Sequence, residues 1–254
     1  MTLSTTEDPT VGTPELYLYG LVAQGTRPPG DLTGVDGQPV RVVPLEQVAA
    51  LVSDAPVQRD VGLPDDVRDH ARVLDAVAAT RPVLPVRFGT LTTDEELPDA
   101  VPQGAQAEHA EALRALEGSV QLTVSARYRE DAVLAELVAQ EPEIRRLRDL
   151  TRGRSEESTY DARMRLGELV VAGFERRRGG DEQRLVATVA PLARATRMHE
   201  VSRTGDIAEL ALLVRHDDVE RLEVALEALA AQVADHMTVR LVGPQAPYDF
   251  TEEV

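Results

Sequence analysis

Hydrophobic period constrains this chain more than any motif in it. Residues 15–24, ELYLYGLVAQ, put Leu16 and Leu18 on one face and Tyr17 and Tyr19 on the other. A repeat of two with aromatics predicts a strand. Residues 25–38 hold Gly25, Pro28, Pro29, Gly30, Gly34 and Gly37 and predict a loop. Residues 40–43 form a second short strand, and 44–52 are expected as a short helix running into an extended 51–55. Pro64 ahead of Asp65 and Asp66 opens a helix, with Val67, Ala71, Leu74 and Ala78 as its apolar stripe. Residues 81–90, RPVLPVRFGT, are a strand whose two prolines suit an edge or a bulge. Residues 94–116 are mostly helical after Pro102, and 119–128, SVQLTVSARY, alternate as a strand. This order predicts an α+β fold, with helices over one face of a mostly antiparallel sheet, as in a ferredoxin-like variant.

The second half opens with helices at 130–140 and 143–150. The longest helical run is predicted over 155–178. It has Tyr160, Met164, Gly167, Val171 and Phe174 at coiled-coil spacing, and Gly179 and Gly180 as its stop. A shorter helix up to Pro191 follows, then a hairpin of 194–203 and 207–215 turning at Thr204, Gly205 and Asp206. A helix bearing Val219, Leu222, Leu226, Leu229 and Val233 leads to a strand over 237–242. The expected organisation is a disordered leader at 1–14, a ferredoxin-like domain at 15–129 and a second α+β domain at 130–254. The second domain is expected as a ferredoxin-like sheet with additional helices, a possible coiled-coil segment and a C-terminal tail.

Composition removes several chemistries. The 27 basic residues are all Arg, and against 44 acidic ones they leave a charge of −17. Without Lys there is no Schiff-base or phosphate-loop lysine, and without Cys no thiolate nucleophile, disulfide or cysteine metal site. The negative charge opposes nucleic acid and anionic membrane. No apolar run reaches membrane-spanning length, and residues 1–14 do not read as a signal peptide. A cytoplasmic protein is expected. The five histidines, at 70, 109, 199, 216 and 236, show no metal-ligand spacing. No catalytic, cofactor or metal site is therefore expected.

Single residues divide between two readings. His70 with Arg87 reads as the general base and anion site of a small-molecule or catalytic protein. Read plainly, His70 is a packed, hydrogen-bonded histidine, since no nucleophile or orienting group accompanies it. Arg87 alternates with Val86 and Phe88, and either binds an anion or pairs with a carboxylate at a sheet edge. Arg145, Arg146, Arg148, Arg152 and Arg154, and the run Arg176, Arg177 and Arg178, could contact RNA. Their acidic neighbours favour a salt-bridged helix face.

Three segments together resemble the gas vesicle protein family of the F and L type. The first is Tyr17-Leu18-Tyr19-Gly20. The second is His70 followed by Val83-Leu84-Pro85-Val86-Arg87-Phe88-Gly89-Thr90. The third is Gly243-Pro244 with Pro247, Tyr248 and Phe250. Gln245 and Ala246 stand where the family commonly has an aromatic and a proline. The resemblance implies a non-enzymatic accessory or minor structural protein of gas vesicles. It implies contact with the small hydrophobic shell protein and with other accessory proteins, and self-association is possible. The implied fold is two α/β domains, the first modified ferredoxin-like. Tyr17, Tyr19, Gly20, His70, Leu84, Pro85, Arg87, Phe88, Gly89, Gly243, Pro244, Pro247, Tyr248 and Phe250 are the candidate structural or partner-binding positions.

Overall fold

The computed structural model describes residues 15–56 and 59–251; the expected leader at 1–14 lies outside them. The chain forms two compact units, Met1–Gly118 with Gln245–Val254, and Ser119–Pro244. This differs from the expected division at 129/130 in two ways. The strand at 119–128 belongs with the second unit, and the tail from Gln245 belongs with the first.

In the first unit, β1 (Glu15–Ala23), β2 (Arg41–Pro44) and β3 (Val48–Asp54) precede helix α1 (Pro64–Ala78). Strands β4 (Val83–Pro85) and β5 (Leu91–Thr93), a single turn α2 (Leu97–Ala100) and helix α3 (Gln103–Leu116) follow. The sheet order is β2-β3-β1-β4, with β5 also on β1, and the β1–β3, β1–β4, β1–β5 and β2–β3 pairings are antiparallel. Strands β1 and β2 thus run the same way, so the loop between them is a crossover. It contains no α-helix. A 3₁₀ turn, Val35–Gly37, stands in that position with Val35 buried, which is the modification of the ferredoxin-like pattern.

Residues 44–52 are not a helix, because 48–54 form β3 between β1 and β2. Val48 to Val52 are buried on both faces, and such an unbroken apolar run lacks the alternation that marks a half-buried strand. Helix α1 packs against the face carrying Tyr17, Tyr19 and Leu51. Leu16, Leu18, Ala50 and Val52 on the other face are buried as well, so helices do not cover one face alone; α3 packs on β1, β3 and β4. The inward face of α1 is also rotated from the expected stripe. It is Asp66, His70, Val73, Leu74, Val77 and Ala78, while Val67 is exposed.

The second unit runs β6 (Ser119–Tyr128), α4 (Glu130–Gln140), α5 (Pro142–Thr151), α6 (Tyr160–Val189), β7 (Ala195–His199), β8 (Asp206–Arg215), α7 (Val219–Val233) and β9 (Met237–Gln245). The sheet order β7-β8-β6-β9 is the ferredoxin-like arrangement of a βαββαβ chain, with α4 and α5 added before α6. Leu122, Val124 and Ala126 alternate toward the core with Leu210, Leu212, Leu222, Leu226 and Leu229. Helix α6 does not stop at Gly179 and Gly180 but continues to Val189 as 30 helical residues. Its later turns bury Asp181, Leu185 and Val189. Asp181 Oδ2 accepts the Tyr128 hydroxyl at 2.9 Å. That burial outweighs a helix cost of about 1 kcal/mol per glycine.

Candidate functional site

The motif residues of the first unit converge because of a bulge in β1. The β1–β3 register slips between Leu18 and Gly20, so Tyr17, Tyr19 and Gly20 all serve the α1 face. The Tyr17 and Tyr19 rings lie 4.7 Å apart. His70, one turn into α1 from Asp66, stacks on Tyr19 at 5.6 Å and meets the edges of Tyr17 at 5.7 Å and Phe88 at 5.6 Å. Gly20 has no room for a side chain, since a Cβ there would lie 2.5 Å from the Leu84 carbonyl oxygen. That close approach seats β4, with Gly20 opposite Pro85 and Leu21 opposite Leu84.

Hydrogen bonds tie this cluster together. Gly89 N–H donates to the Tyr17 hydroxyl at 3.1 Å, and the same hydroxyl lies 2.9 Å from His70 Nδ1. His70 Nε2 is a buried atom without a hydrogen-bond partner among the described residues. Burial pushes the imidazole down to about 4, with only a partial offset from the Val86 backbone. Burial likewise pushes both tyrosines up. The Tyr19 hydroxyl accepts Val35 N–H at 2.7 Å and lies 2.9 Å from Ser53 Oγ. Gly34 is needed there, because a Cβ would overlap that hydroxyl at 1.8 Å. Ser53, Gly34 and Val35 were not foreseen; Gly34 alone gave a signal, as one glycine among several in a loop.

Another unforeseen pair fixes the start of α1. Asp66 is buried, and Arg59 reaches both its oxygens at 2.8 and 2.7 Å. Gly62 and Leu63 N–H each add a bond at 2.9 Å. The Arg59 guanidinium holds the Asp66 carboxyl well below the usual carboxylate range, with the two backbone donors helping and burial opposing.

The surface of the cluster is an open groove of about 450 Å³, with Val67, His70, Pro85, Arg87, Phe88 and Tyr248 in its lining. Val67 and Tyr248 are 49% and 47% exposed. The strand expected over 81–90 ends at Pro85, so Arg87 lies just beyond β4; it is exposed and has no carboxylate partner among the described residues. The tail is anchored beside the groove. Ala246 is fully buried, and its N–H donates to Asp75 Oδ1 at 2.8 Å. Burial raises the Asp75 carboxyl, and this bond partly offsets the rise. Pro247 is buried and Phe250 half-buried in the turn Tyr248–Phe250. The structure therefore gathers Tyr17, Tyr19, Gly20, His70, Leu84, Pro85, Arg87, Phe88, Gly89, Pro247 and Tyr248 around one site. Gly243 and Pro244 belong to the second unit. Gly243 has φ +139° there, and a Cβ would meet Leu122 at 2.5 Å.

The run Arg176–Arg178 is paired with carboxylates throughout, whereas in the run at 145–154 Arg148 is paired and Arg145 donates to the backbone carbonyls of Val138 and Ala139. Arg177 pairs with Glu136 at 2.8 Å, Arg178 with Glu175 at 2.9 Å, Arg176 with Glu141, and Arg148 with Asp149 at 3.0 Å. Among the described residues, no helix is long and apolar enough to cross a membrane.

Comparison with known proteins gives a consistent result. Gas vesicle protein F of Streptomyces sp. (strain CB03234) is 33% identical, over 93% of this chain and 99% of that protein. Two crystal structures share the fold. Gas vesicle protein GvpF from Anabaena sp. PCC7120 has a TM-score of 0.76 at 20% identity, covering 95% of this chain and 98% of that one. GvpF from Microcystis aeruginosa has a TM-score of 0.72 at 22% identity, covering 94% and 100%. The family model of the gas vesicle synthesis protein GvpL/GvpF matches residues 15–252. The chain belongs to that family, and its role lies in gas vesicle formation.

Proposed function

We propose that this chain is a non-enzymatic accessory or minor structural protein of gas vesicle formation, working in the cytoplasm at the vesicle. In this reading it holds the small hydrophobic shell protein, and with it other accessory proteins, while vesicles nucleate and grow. The observation that carries the reading is the groove of the first unit. Motif residues from all three segments meet at or beside one apolar wall, in which Val67 and Tyr248 remain half-exposed. An uncovered apolar surface on a folded protein marks an interaction site. On a chain of charge −17, it allows capture of an apolar subunit while like charge keeps the carriers apart. Arg87 offers a charged anchor for a carboxylate at the rim of the bound segment. The long helix α6 sets the spacing of contacts made by the second unit.

The alternative, a small-molecule or catalytic site using His70 and Arg87, gains nothing from this geometry. A general base must reach the proton that it takes. His70 Nδ1 is occupied by Tyr17, and Nε2 is sealed from solvent. Co-purification tests the proposal. The full chain is expected to retain shell protein, and residues 119–244 alone are expected not to. Equal retention by both, or none by either while a deletion strain still forms vesicles, would overturn it.

A further inference from the structure

The first unit contains eight arginines. Four are paired with carboxylates: Arg41 with Asp54 at 2.7 Å, Arg59 with Asp66 at 2.7 Å, Arg72 with Asp69 at 2.9 Å, and Arg68 with Asp65. The other four have no carboxylate partner among the described residues. One is Arg87. The remaining three, Arg27, Arg81 and Arg114, line a single cleft of about 550 Å³ on another part of the unit. They come from three places in the chain: the loop after β1, the link between α1 and β4, and the last turn of α3.

Convergence of three guanidiniums without carboxylate partners is costly in itself, because like charges repel; Arg114 Nε donates to the Ala110 carbonyl at 3.2 Å, which leaves its charge unbalanced. It is the more notable in a chain with 44 acidic residues, where neighbouring arginines of the same unit found partners. Glu117 also lines the cleft, so three positive charges against one negative leave +2. That balances the dianionic terminal phosphate of a nucleotide, and the guanidinium fork matches phosphate oxygens in pairs. The cleft is larger than inorganic phosphate needs and lies within the range of about 300–1,000 Å³ typical of small-molecule sites. Ala23, Pro82 and the buried Leu113 give it an apolar part. The polar side chain of Gln24 is already committed to the carbonyls of Leu45 and Glu46, at 2.9 and 2.6 Å.

We propose that this cleft binds an organic phosphate of nucleotide size. Arg27, Arg81 and Arg114 hold the phosphate oxygens, and the body of the ligand rests on Ala23, Pro82 and Leu113. The site is separate from the groove at His70 and Arg87, and shares no residue with it.

Calorimetric titration of the full chain with ADP, and in parallel with citrate, tests this. ADP is expected to bind at low salt and more weakly at high salt. Each of Arg27→Gln, Arg81→Gln and Arg114→Gln is expected to weaken ADP about tenfold. The triple variant is expected to lose binding with its melting temperature unchanged in the absence of ligand, and Arg41→Gln, outside the cleft, to bind as the parent does. Citrate is expected to bind more weakly than ADP. Absence of ADP binding, binding undiminished in the triple variant, or citrate tighter than ADP would each overturn the proposal. Should the triple variant fail to fold, the exposed single variants Arg27→Gln and Arg114→Gln carry the test.

Discussion

At the scale of the residue, His70 is where chemistry and packing meet. Its imidazole is buried, neutral and pushed down to about 4 from 6.5. The unfolded chain therefore binds a proton that the folded chain refuses between these values. The stability linked to His70 is fully present above pH 6.5 and declines as pH falls through that window, by roughly 3 kcal/mol in all. Chemical denaturation from pH 7.5 to 4 is expected to show this slope, and His70→Gln to flatten it. A group of opposite charge type acts lower on the scale. Asp66 is held below its unfolded value, so its contribution is present above about pH 4 and lost as pH falls further. Asp66→Ala, which strands two backbone donors and a guanidinium, is expected to cost about 2 kcal/mol at pH 7 and much less at pH 2. Gly20→Ala is expected to cost about 1–3 kcal/mol in the same assay, because its Cβ would sit 2.5 Å from the Leu84 oxygen. The plain reading of His70 as a packed histidine was legible from its place beside an apolar stripe. Its partners were not, since Tyr17 lies 53 residues away and only the fold brings it near. Asp66 gave a visible signal as an acid in the first turn, but nothing local announced that it would be buried.

At the scale of the element, period governed what the sequence disclosed. Strands β1 and β6 show repeats of two because their neighbours differ in polarity or size from face to face. Strand β3 does not, because both its buried faces carry aliphatic side chains of similar kind, and its Ala-rich run then resembles a helix. The short β5 was hidden for another reason, since three residues are too few to show a period. Helix α6 illustrates the reverse error. Gly179 and Gly180 are good stop signals locally, but Asp181, Leu185 and Val189 have buried positions to reach on the same helix. Both glycines have open space where a Cβ would stand. Gly179→Ala with Gly180→Ala is accordingly expected to stabilise the protein by about 1 kcal/mol per site. Thermal unfolding reads this as a raised melting temperature. A lowered one would mean that the helix needs its glycines there for a kink or a contact.

At the scale of the whole molecule, the α+β class and a ferredoxin-like variant in the first half were expected from the order of periods. The partition of the chain did not. A strand joins whichever sheet offers it a partner, and β6 finds β8. Residues 245–251 join the unit that opened the chain, through Ala246 and Asp75, a contact with no trace in composition or spacing. The charge of −17 is in keeping with a carrier of apolar subunits, and the groove of the first unit is its natural contact surface. The deciding measurement is retention of shell protein by the full chain carrying Val67→Glu and Tyr248→Ser, two half-exposed positions in the groove wall. A folded double variant with an unchanged melting temperature is expected to retain at least tenfold less shell protein than the parent chain, a loss matching about 1.4 kcal/mol. Retention equal to that of the parent, in a variant that folds, would contradict the assignment of this groove.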